Sequence, residues 1–216
     1  MIMKVIPDKT LIKIPVKDNG EKLTDIKSIC SNISINIDPK SQRVEKLPFD
    51  TCYLRIGVTK RLCRAQKLLP NGFRIMIWSG HRAMKIQKKL YFDQFRKFKK
   101  QYPNWPKEKI KQETDKFVAP IEIMPPHTTG GAVDCTIIDI HGRQLNMGTA
   151  IDNFTKRSYT NSKVISKEAK KNRLLLINIM TKAGFVNYPP EWWHWSYGDR
   201  YWAAVLNKKF SIYKGI

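Results

Sequence analysis

At 216 residues the chain is long enough to bury most of the surface its unfolded form exposes, so a single domain over 1–216 that folds without metal is the simplest organisation. Hydrophobic residues at 42% and charged residues at 27% describe an ordinary soluble globule, and no apolar run approaches the ~18 residues of a spanning helix, so no spanning helix is expected. The formal charge of +22 invites an anionic partner, but 29 of the 40 basic residues are lysines spread from Lys4 to Lys214 with no recognition motif beside them, so solvated surface lysine is the simpler reading and no specific nucleic-acid partner is expected.

The first residues, Met1-Ile2-Met3-Lys4-Val5-Ile6-Pro7-Asp8-Lys9, break into charge before a secretory apolar stretch forms, which points to the cytoplasm. Residues 1–46 are polar, and their short alternating stretches, Leu11 to Val16 and Ile33 to Asp38, suit edge strands or a wrapping arm. Cys30, Cys52, Cys63 and Cys135 form neither a Cys-x-x-Cys pair nor a dense framework and read as reduced thiols. Val58, Leu62, Ala65 and Leu69 fall at helical spacing, and Pro70-Asn71-Gly72 stops that helix. Phe73 to Trp78 reads as a strand, ending in the turn Ser79-Gly80-His81-Arg82.

A long basic helix follows, with Tyr91, Phe95, Phe98 and Tyr102 on one face at a spacing that burial requires, and Pro103 ends it. Residues 103–124, charged and broken by Pro103, Pro106 and Pro120, suggest an insertion or lid. Val133, Cys135 and Ile137 alternate with Ala132, Asp134 and Thr136, the period of a half-buried strand that sets Asp134 on the face away from Val133 and Ile137. His141-Gly142 turns the chain, and Gln144 to Met147 is expected to return antiparallel. Ser162 or Ser166 starts a helix with Ala169, Arg173, Leu176 and Met180 along one face and Gly184 as its C-terminal cap. Phe185-Val186 begins a final strand expected to deliver Glu191 and His194.

Two imidazoles and a carboxylate, His127, Asp134 and His194, make a three-ligand zinc site with a fourth position for water, and Glu191, three residues from a ligand, is an acid/base candidate. Amide hydrolysis also needs positive charge at the developing oxyanion. Arg82, where strand gives way to helix, could supply it or could serve a surface ion pair; His81 beside it is a candidate for touching substrate. His141, beside a turn glycine, reads as structural.

Taken in order, His127-Thr-Thr-Gly130-Gly-Ala132-Val-Asp134, Met147-Gly148-Thr149-Ala150-Ile151-Asp152, Asn172-Arg173-Leu174-Leu175-Leu176, Gly184-Phe185-Val186 and Glu191-Trp192-Trp193-His194 resemble the zinc D-alanyl-D-alanine dipeptidases over about residues 48–202. The resemblance implies zinc ligands at His127, Asp134 and His194, an acid/base at Glu191, transition-state stabilisation by Arg82, and pairing of Asp152 with the ammonium of a small D-amino-acid dipeptide. It also implies an α+β fold, a small mostly antiparallel sheet flanked by helices, with zinc in a cleft on the sheet. Three positions depart from that family's habit: Pro125 stands where a serine is usual, Thr129 where an arginine is common, and Ser79-Gly80-His81-Arg82-Ala83 where the family tends to read Asp-Gly-Tyr-Arg-Pro. They bear on the substrate, for which a murein D,D-carboxypeptidase or endopeptidase on a longer stem peptide is the alternative. A basic binding module with a non-catalytic metal site is the reading from another class.

Overall fold

The computed structural model describes residues 5–37, 48 and 50–216. Met1 to Lys4, which carry the start of the leader reading, and residues 38–46, the end of the proposed arm, lie outside the described residues.

The described arm folds as a short helix α1 (Asp8–Leu11), a strand β1 (Leu23–Asp25), a 3-10 turn (Ile26–Ser28) and a strand β2 (Ser34–Ile35). Strand β3 (Tyr53–Arg55) pairs antiparallel with β1, then helix α2 (Ile56–Lys67) leads to β4 (Arg74–Ser79). Helix α3 (Met84–Gln101) and helix α4 (Lys107–Asp115) come next, followed by the central strand β5 (Ala132–Ile138) and helix α5 (Lys167–Lys182). Strands β6 (Val186–Asn187) and β7 (His194–Ser196) and helix α6 (Arg200–Val205) complete the chain. The main sheet has the order β2-β4-β5-β7-β6, with β2 parallel to β4 at one edge and every other pair antiparallel. Sheet and helices together make an α+β fold.

One face of the sheet carries the core. Ile75 and Ile77 of β4 and Val133, Cys135 and Ile137 of β5 pack with Val58, Leu62 and Ala65 of α2 and Leu176, Ile179 and Met180 of α5. At ~25 cal/mol per Å² of apolar surface, side chains of this size each contribute about 1.5–3 kcal/mol on burial, which is why the spacing in both helices matters. A smaller cluster joins Leu11, Ile123, Val186, Tyr201 and Trp202. Ser166 caps α5 by accepting a hydrogen bond from the Ala169 amide, and Gly184 follows its last turn with φ +97°, a conformation that favours glycine.

Four expectations change. Leu11 to Val16 is no strand: Leu11 ends α1 and Val16 makes one isolated bridge to Ser211, because Pro15 removes a donor from the stretch. Strand β5 is buried on both faces, not half-buried, since it is central and its second face lies inside the site. The final strand is split: Pro189 and Pro190 cannot donate to a ladder, so β6 and β7 form a hairpin and Glu191 sits in its loop. Of the aromatic face expected along α3 only Tyr91 is buried; Phe98 and Tyr102 instead join an aromatic row with Trp105 and Phe117, and residues 107–115 form α4, tied back by a Tyr91 Oη to Asp115 Oδ1 hydrogen bond of 2.7 Å. The return after His141-Gly142 is present as one bridge, Ile138 to Gln144. Cys30, Cys52, Cys63 and Cys135 form no disulfide. Among the described residues no helix is long and apolar enough to cross a membrane.

Candidate active site

Strand register assembles the site. Asp134 on β5 lies directly across from His194 on β7, and Ser79 at the end of β4 faces Asp134 from the other side after an irregularity between Ile77 and Ser79. His127 comes from a 3-10 turn (Pro126–Thr129) that ends at Gly130, whose φ of +68° turns the chain into β5; a Cβ there would also stand 2.6 Å from Leu23.

The three side chains converge and are all buried. His127 Nε2 lies 3.3 Å from Asp134 Oδ2 and 3.3 Å from His194 Nδ1, and His194 Nδ1 lies 3.0 Å from Asp134 Oδ1. A tetrahedral ion with bonds of ~2.05 Å needs ligand atoms about 3.3 Å apart, so the donor set fits zinc in both chemistry and spacing. The tautomers agree as well. His127 Nδ1 is 2.8 Å from the Gly80 carbonyl, which can only accept, so Nδ1 carries the hydrogen and Nε2 presents a lone pair to the site. Ser196 Oγ stands 3.5 Å from His194 Nε2, on the outer side of that ring.

Electrostatics favour an ionised carboxylate between the two imidazoles and treat the two rings differently. Burial, and after it the charges of His194 and Arg82, hold His127 below the usual histidine range against the pull of Asp134. Burial would raise Asp134, but the two imidazoles outweigh it and hold the carboxyl well below its ordinary value. His194, bonded to that carboxylate, moves the other way despite its burial. Glu191 is pushed up to about 7 by burial, with Asp134 and Asp152 adding to the effect and His194 opposing it. A carboxyl poised near neutrality beside His194 is what an acid/base needs.

Arg82 is anchored beside the site, its amide donating to the His127 carbonyl at 3.1 Å and its guanidinium reaching Gln87 Oε1 and Ser79 Oγ. Its Nε is buried without a partner, a donor left over for something else. Asp152 is exposed at the rim in a left-handed conformation, φ +62°, and accepts from Trp78 Nε1 at 3.2 Å. His81 turns its ring to the Ile216 carbonyl, 3.3 Å away. His141 is in the exposed Asp139–Arg143 turn, where its amide donates to Asp139. Pro125 and Thr129 serve the ligand turn itself: the Pro125 carbonyl accepts from Thr128 Oγ1, and Thr129 Oγ1 donates to Pro126 and accepts from Gly131. Sequence reasoning missed the outer partners Gly80, Trp78 and Ser196. Ser196 carried a weak signal, lying two residues from His194, and Trp78 a weaker one, three residues from His81.

A convergent His/Asp/His set at one end of a sheet, with an unligated glutamate beside it, defines the framework of a metal-assisted hydrolase. The family model described as D-ala-D-ala dipeptidase, Peptidase M15, matches residues 40–214, and the chain belongs to that family. It is therefore a peptidase. It is 29% identical over 230 aligned positions to a D-alanyl-D-alanine dipeptidase of Synechocystis, covering 94% of this chain and 92% of that one. It is 35% identical over 97 positions to the Escherichia coli D-alanyl-D-alanine dipeptidase, covering 45% of this chain and 50% of that one. Among solved structures, VanYB in complex with D-alanine-D-alanine aligns with a TM-score of 0.44 at 18% identity, over 68% of this chain and 72% of that chain.

Proposed function

We propose that the chain is a zinc-dependent dipeptidase that hydrolyses D-Ala-D-Ala or a related D-amino-acid dipeptide. The observation that carries the metal is the 3.0–3.3 Å spacing of His127 Nε2, Asp134 and His194 Nδ1, which matches the edges of a zinc tetrahedron. Zinc held there would acidify a water and polarise the scissile carbonyl. Glu191, raised toward neutrality, takes the water's proton and returns it to the departing amine. Arg82, with a spare buried donor, faces the developing oxyanion; preorganised charge of this kind is commonly worth about 3–4 kcal/mol of barrier. The exposed Asp152 carboxylate receives the substrate ammonium, and an acylated amine has no charge to offer it.

Purified protein supplied with zinc should release free D-alanine from D-Ala-D-Ala, stop on chelation and recover on zinc add-back. Glu191→Ala should lower kcat by on the order of 10²–10⁴-fold. Wild-type turnover by that variant would sink the mechanism. Faster cleavage of N-acylated than of free substrate would point instead to a carboxypeptidase or endopeptidase.

A further inference from the structure

Asp152 sits in a loop that ought to be poorly fixed: residues 149–157 contain no helix or strand, and most are exposed. Left-handed backbone at a residue other than glycine is also uncommon and persists where its surroundings enforce it. The enforcement comes from below. Arg173, on the buried face of α5, donates from Nε to the Met147 carbonyl at 2.8 Å, from Nη1 to the Tyr159 carbonyl at 2.5 Å and from Nη2 to the Arg157 carbonyl at 2.8 Å. One planar group thus grips both ends of the loop, with Asp152 between them. Its guanidinium also stands over the Trp192 ring, 5.6 Å from its centre, and Trp192 Nε1 donates to Thr149 Oγ1 at 2.8 Å.

The same loop is tied to the one that carries Glu191. Ser158 Oγ donates to the Pro190 carbonyl at 2.9 Å, the Trp192 amide to the Ser158 carbonyl at 3.1 Å, and the Thr160 amide to the Pro189 carbonyl at 2.9 Å. Arg173 is 2% exposed and spends its donors on carbonyls, not on a carboxylate, so a costly buried charge is kept for shaping backbone. Lysine has three donors but on one compact nitrogen without the planar fork, so it could not reach these three carbonyls from the separate positions that Nε, Nη1 and Nη2 occupy.

We infer that Arg173 is a positioning residue for the amine end of the substrate: it fixes the 147–159 loop so that Asp152 stands at a set distance from Glu191, and thereby sets the preference for a free ammonium. The inference rests on the reading of Asp152 as the ammonium acceptor, and the experiment separates the two.

Zinc-loaded wild type, Asp152→Asn, Arg173→Lys and the double variant are assayed on D-Ala-D-Ala and on its N-acetyl form, with zinc per chain measured for each. Arg173→Lys should raise KM for the free dipeptide on the order of 10–100-fold, as displacement of a positioned group by about an ångström does. Activity on the acetylated form and zinc content should change little, so the preference collapses. In the Asp152→Asn background Arg173→Lys should change the preference no further, because both act through one carboxylate. A wild type without a free-amine preference, or an Asp152→Asn variant that keeps it, removes the ammonium reading and the inference with it. Collapse in Asp152→Asn with an intact preference in Arg173→Lys overturns the inference alone. Should Arg173→Lys fail to fold, Trp192→Phe, which loses the donor to Thr149 but keeps a ring under the guanidinium, must lower the preference in the same direction; an unchanged preference in that variant overturns the inference.

Discussion

At Glu191 a single buried side chain works against the stability of the fold. Its carboxyl is pushed up to about 7 from an ordinary 4.5, burial being the main cause. A folded-state value above the unfolded one means that the folded protein holds the proton longer, so stability is intact below about pH 4.5 and declines as pH rises toward 7. At 1.36 kcal/mol per unit the full loss would approach about 3 kcal/mol, and because Glu191 keeps some solvent contact about 1–3 kcal/mol is the expected size. Glu191→Gln keeps the shape and removes the charge. In metal-free protein it should match wild type at pH 4 and unfold at a higher temperature at pH 8, while turnover falls on the order of 10²–10⁴-fold. Thermal melts at the two pH values check this; a variant no more stable than wild type at pH 8 would show that Glu191 is not strained in the fold.

At the scale of elements, the β6–β7 hairpin is where local sequence and tertiary need meet. Pro189 and Pro190 break what would have been one strand, and Asn187 repairs the break. Its Nδ2 donates to the Glu191 and His194 carbonyls at 3.1 and 3.0 Å, and its Oδ1 accepts from Thr160 Oγ1 at 2.5 Å. Asn187→Ala strands those buried groups, at about 1–3 kcal/mol each where water cannot reach them. The expected result is a loss of about 2–4 kcal/mol in chemical denaturation, together with a fall in kcat because Glu191 loses its brace; a change below about 0.5 kcal/mol would mean that water replaces the amide. Elements of this kind mark the limit of what the sequence discloses. Helix α2 and strand β4 were legible because each has a local cause, apolar periodicity or the Pro70-Asn71-Gly72 stop, and a serine cap narrowed the start of α5 to Ser162 or Ser166, of which Ser166 is the cap. The His127, Asp134 and His194 set was legible because its chemistry is local to each motif. The cross-strand pairing of Asp134 with His194, the burial of both faces of β5 and the grip of Arg173 on its loop depend on partners 14 to 60 residues away, and periodicity carries no information about them.

For the whole molecule, two properties set the response to solution conditions. The +22 charge repels itself, since 40 basic residues stand against 18 acidic ones. Raising salt from ~10 mM to ~150 mM shortens the screening length from about 30 to about 8 Å and should raise the melting temperature. Turnover of a dipeptide zwitterion, which has no net charge to steer, should hardly move; a steep fall with salt would instead reveal electrostatic capture of an anionic substrate. The second property is the separation of core and site across one sheet. Val133 and Cys135 face the helices while Asp134 faces the ligand cluster, and Trp193 and Trp195 alternate with His194 in the same way. The apolar layer under α2 and α5 is therefore complete without an ion, and chelation should leave far-ultraviolet circular dichroism and a single cooperative unfolding transition in place. A zinc ion bound there would add binding energy, about 2.7 kcal/mol when free zinc is 100-fold above its Kd. For a domain of this length each kcal/mol shifts the midpoint by about 2–4 °C, so chelation should lower Tm by roughly 5–11 °C and zinc should restore it in a concentration-dependent way. Loss of the cooperative transition on chelation would show that the three ligands hold the fold itself, and that β5 and β7 depend on the ion for their pairing.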